Sequence, residues 1–143
     1  MASILKVDDL RGNTAAGNIT ITSEGGAATQ SLQQGLNKAW ATFQLGATPA
    51  VNNSLNTSSI SDFSSGRGAL SWTSAMDDAD YIMTSAGESV NQSTPYTTTL
   101  TDHSAYDRRT TSNLYWLSVY VSSSGGSIFD PTFAHVSING DLA

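Results

Sequence analysis

The sequence predicts an all-β protein: an antiparallel β-sandwich, jelly-roll-like, with an extended N-terminal arm. Composition is the first ground. About a quarter of the residues are Ser or Thr, only 13% are charged, and Gly and Asn are plentiful. Thr, Val, Ile and the aromatics suit a pleated strand, while Gly, Asn, Asp and Ser suit turns. Periodicity is the second ground, because apolar residues recur at alternate positions in AWATFQL, LYWLSVYV and TFAHVSI. Spacing is the third: turn residues interrupt these runs at the short intervals of a sandwich.

Residues 1–30 read as the arm. ILKV and NITIT are strand-like, but they sit among RGNTAAG and SEGGAATQ, which are small, polar and rich in Gly. Such a segment buries little surface alone. It is either flexible or ordered by pairing with another chain. Ile4, Leu5, Val7, Ile19 and Ile21 are the side chains it offers to a larger assembly.

The sandwich is expected over 31–143. Leu32 and Leu36 are four apart, which suits one helical turn, and Gly35 interrupts it. A strand over 38–45 follows. Its core face carries Ala39, Ala41, Phe43 and Leu45; Lys38, Trp40, Thr42 and Gln44 face the other way. GATPAVNNSLNTSS reads as loop. SISDF and ALSWT form a hairpin around SSGRG, with Leu70 and Trp72 on one face. In AMDDADYIM the aspartates turn the chain, and Ala79, Tyr81 and Met83 point one way. The stretch 89–112 is polar and weakly patterned, with one strand hinted at by Tyr96, Thr98 and Leu100. NLYWLSVYVSSS is the strongest strand and is apolar on both faces. GGSIFDPTF reads as a turn around Pro131. TFAHVSING closes the domain, with Ala134, Val136 and Ile138 alternating against Phe133, His135 and Ser137.

Trp40 is the anomaly, since the largest apolar side chain lies on a polar face. The strand carrying Trp116 also has apolar residues on a second face, and a two-sheet sandwich has one inside. The cover is the arm, a long loop or a neighbouring subunit. A subunit contact formed by Trp40, Leu114, Trp116 and Tyr120 is the expectation, because an exposed patch with two tryptophans invites aggregation.

The net charge of −6 argues against nucleic acid, where phosphate contacts need Lys and Arg and only six are present. It also argues against attachment to an anionic membrane, and no stretch has the apolar length of a membrane span. There is no cysteine, so no disulfide or thiolate metal site. MASILKVDD has no signal-peptide apolar region, so release by lysis is the expected route out of the producing cell.

The order of motifs carries a resemblance. ILKVDDLRGNTAAGNITIT, GLNKAWATF, SLNTSSISD, AMDDADYIM and FDPTFAHVSINGD follow one another as in a group of bacteriophage virion proteins, the tail-fibre-like structural proteins of marine phages. The resemblance spans most of the chain, and the middle, 85–112, departs from it. It implies a β-rich, homotrimeric, non-enzymatic part of a phage particle, assembled in the host cytoplasm. The expected role is a tail fibre or spike component displaying the sandwich for host attachment. The alternative is a head fibre or capsid decoration protein that stabilises the particle. The partners implied are tail or capsid proteins, through the arm, and a host cell-surface glycan.

No catalytic constellation stands out. In TDHSAYDRR the adjacent Asp102 and His103 point apart in an extended chain, and no nucleophile is partnered. MDDADY lacks the remainder of a calcium loop and reads as a turn. No cofactor and no metal are expected. Aromatics beside amides and carboxylates are the material of sugar binding, which makes Tyr96, Asp102, His103, Tyr106 and Arg108 the candidate receptor loop.

Overall fold

The computed structural model describes residues 5–15, 19–22, 26, 28–45, 48–88, 98–102, 109–122 and 125–143. The chain forms two compact units, residues 1–36 and 37–143. The first therefore extends six residues beyond the expected arm. It contains β1 (Thr20–Thr22) and β2 (Thr29–Ser31), paired antiparallel, and then α1 (Leu32–Gly35). The Leu32 N–H donates to the Ile19 carbonyl at 2.8 Å, which ties the helical turn to the hairpin.

The second unit holds the sandwich: β3 (Ala39–Gln44), β4 (Ala50–Leu55), β5 (Thr57–Ser64), β6 (Arg67–Trp72), β7 (Ile82–Glu88), β8 (Thr98–Asp102), β9 (Asn113–Ser122), β10 (Gly125–Ile128) and β11 (Phe133–Asn139). The strand path runs β4-β3-β11-β7-β8-β9-β6-β5, with β10 beside the far end of β9, and every pairing is antiparallel. The path folds over between β7 and β8, which share a single register pair, Gly87↔Thr98. Its two ends, β4 and β5, are joined by Asn56 alone.

Burial explains the fold. Ala39, Ala41, Phe43 and Leu45 are all buried, as alternation predicts, and so are Ala134, Val136 and Ile138 on the neighbouring strand. From the other layer come Leu70, Trp72, Leu114 and Trp116. The Phe43 and Trp116 rings meet across the interior at 5.8 Å, and Trp72 meets Tyr81 edge-on at 6.2 Å. Tyr81 is buried and its hydroxyl donates to the Asn113 carbonyl at 3.0 Å. That satisfies the polar end of a core residue.

Two stretches read as loop or turn are strands. VNNSL forms β4 and GGSI forms β10, each paired along one side to a stronger strand. Lys38, assigned by alternation to a solvent face, is buried. The SSGRG turn is as expected. Gly66 sits at φ +69, in the left-handed region that a tight hairpin requires. Its N–H donates to the Asp130 carboxylate at 2.6 Å, so the hairpin tip is docked on the chain leading into β11. The start of β3 and the end of β11 also meet. The Lys38 N–H donates to the Ile138 carbonyl, and the Asn139 amide donates to Asn37 Oδ1 at 3.0 Å.

Candidate functional site

Burial removes Leu114 and Trp116 from the expected subunit contact. Leu114 and Trp116 are each 1% exposed within a single chain. Pairing of β9 with β6 sets which face turns inward. Trp116 lies opposite Gly68, where an added Cβ would come within 2.6 Å of the indole. The ring fills the space that glycine leaves, so Leu114, Trp116 and Ser118 form the inner row. Tyr115, on the outer row, is half-buried and stacks on the half-exposed Phe63 at 6.0 Å. The backbone of Tyr120 pairs with Thr98 and Ser127.

Of the receptor-loop candidates, Tyr96, His103, Tyr106 and Arg108 lie outside the described residues. Asp102 ends β8, its backbone paired with Trp116. In the arm, Ile4 lies outside the described residues, Ile19 is half-buried, and Leu5, Val7 and Ile21 are exposed. Among the described residues no group of three His, Asp or Glu is placed to hold a metal ion. In MDDADY, the Asp78 carboxylate accepts the Asp80 N–H at 2.8 Å, which is turn chemistry.

Trp40 lies on an outer face with its side chain half-buried. That face belongs to β4, β3, β11 and β7, and its register makes a grid. Leu55, Trp40, Ser137 and Thr84 form one row across the strands. Asn53, Thr42, His135 and Ala86 form the next, and Phe133 beside Glu88 continues it. Leu55 is the cross-strand partner of Trp40, the placement in which side chains on one sheet face are neighbours.

At one end of the grid is a shallow pocket of about 180 Å³ lined by Ala86, Gly87, Phe133 and His135. The Phe133 and His135 rings stand 6.3 Å apart with their planes at 58°, forming an open corner. The short side chain of Ala86 and the bare backbone of Gly87 leave its floor clear. Phe133 is 38% exposed despite its size. Glu88 is its cross-strand partner, and Thr42 is that of His135. The signal was present in TFAHVSING: alternation that sends Ala134 and Val136 inward sends two rings outward side by side. No protein-family model matches the chain, and no curated protein or solved structure matches it.

Proposed function

We propose that this chain is a non-enzymatic structural component of a phage particle, a tail-fibre or spike part that displays the sandwich for host attachment. The observation that carries the reading is the division of the chain. Residues 1–36 form one compact unit, and residues 37–143 form another that has its own hydrophobic core. Leu5, Val7, Leu10 and Ile21 of the small unit are exposed. A hairpin of three-residue strands is marginal by itself, and a cluster of exposed apolar side chains is the material of a protein contact. The unit is the anchor, gripping a tail or capsid protein or joining three copies of the chain. The motif order resembling phage virion proteins supports the same reading.

A position on the head is the second reading. The sandwich follows the small unit directly, at Leu36 and Asn37, a geometry that suits a short knob on a capsid as well as a tip. Gold-labelled antibody against the sandwich, viewed on intact particles, separates the two. Label at the tail is the expected outcome for host attachment. Label spread over the head establishes decoration, and particles carrying no label sink both.

A further inference from the structure

We propose that the Phe133–His135 pocket binds one neutral sugar ring, a hexopyranose at the tip or branch of a glycan. A hexopyranose has an apolar C–H face and a rim of hydroxyls. The C–H face matches an exposed aromatic ring, and the hydroxyls match a few fixed polar groups around it. Phe133 supplies the ring, half-exposed beside a floor of Ala86 and Gly87. His135 closes the corner with its plane 58° from that of Phe133 and brings ring nitrogens to the rim. Thr42, paired with His135, adds a hydroxyl. The Thr42 hydroxyl donates to the Asn53 carbonyl, at 3.4 Å, which orients its lone pairs for accepting.

Size and charge narrow the class. A pocket of about 180 Å³ is smaller than the roughly 300–1,000 Å³ that encloses drug-sized ligands, so it admits one ring. A net charge of −6 disfavours an anion such as a phosphate or an acidic sugar. A wholly apolar ring would strip water from His135 without replacing its hydrogen bonds. A second copy of the chain is a poorer occupant. Four strands about 4.8 Å apart and about six residues long present roughly 400 Å², against about 800 Å² per partner in a stable interface.

The pocket is argued from its own chemistry. A failed sugar titration leaves the virion assignment standing, and label on the head leaves the pocket standing. The test is saturation-transfer NMR on the full chain with the methyl glycosides of glucose, galactose, mannose and N-acetylglucosamine. At least one should receive saturation on the C–H protons of one ring face, with a Kd near 1 mM, the range expected of a shallow single-ring site. Phe133→Ala should weaken binding at least tenfold, His135→Ala should weaken it severalfold, and Phe63→Ala, in the other layer, should leave it unchanged. Thermal melts confirm that each variant is folded; should Phe133→Ala unfold, His135→Ala decides. Saturation of none of the four glycosides overturns the proposal. So does binding that persists in both pocket variants, or that is lost with Phe63→Ala.

Discussion

Gly66 concentrates two demands in one residue. Its φ of +69 is strained for any L side chain, and a Cβ there would lie 2.0 Å from Ile128 Cγ2. Gly66→Ala should destabilise the sandwich by about 3 kcal/mol, in the range of backbone strain combined with overpacking, read by urea denaturation. Among the described residues, Asn56 is the non-glycine residue with a left-handed backbone, at φ 55. Its side-chain amide donates to the Ser74 carbonyl and accepts the Ser74 N–H, so one side chain replaces a strand partner at the corner between β4 and β5. Asn tolerates the left-handed region better than other residues with a Cβ. Asn56→Ala should therefore cost about 2 kcal/mol, and Asn56→Gly clearly less, because glycine keeps the conformation while losing the two bonds. Equal losses in the two variants would show that the conformation contributes nothing.

At the scale of the element, β9 shows where alternation stops informing. Both of its faces are apolar, and a period of two cannot say which is inside. The choice belongs to β6, whose Gly68 admits the Trp116 indole. Trp116→Ala should cost about 3–5 kcal/mol by leaving a cavity beside Phe43. Trp40→Ala, on the outer face, should cost about 1 kcal/mol. Paired thermal melts check the contrast, and similar losses at the two positions would contradict the burial assigned here. The strands with one apolar face, β3, β6 and β11, were legible in advance because a single buried row leaves a clean pattern. β4 and β10 were not. VNNSL and GGSI have turn-like compositions, and they become strands because a strongly patterned neighbour offers them a ladder, a tertiary effect that local propensity does not contain. The candidate site divides the same way. Phe133 and His135 were readable as an outward pair, but their corner with Ala86 and Gly87 depends on the β11–β7 register, which brings together residues nearly fifty positions apart.

At the scale of the whole molecule, the core cluster lies within residues 37–143, and the exposed apolar side chains Leu5, Leu10 and Ile21 lie in the other unit. Replacing Leu5, Leu10 and Ile21 by Ser should leave the melting of the sandwich within about 0.5 kcal/mol, since none of them belongs to its core. The same triple variant should fail to enter particles when it competes with the wild-type chain during assembly, as counted in purified virions. Normal incorporation would remove the anchoring role from the first 36 residues.

The bond between Asn37 and Asn139 has a consequence for inheritance. A domain whose first strand begins beside the end of its last strand can interrupt a host chain only briefly, the geometry in which domain insertion is best tolerated. Recombination that carries both junctions together can lift the sandwich out of one protein and set it into a surface loop of another, without stretching either backbone. The sandwich is built as a transferable cassette, and the same fold can be carried by chains that otherwise share no ancestry.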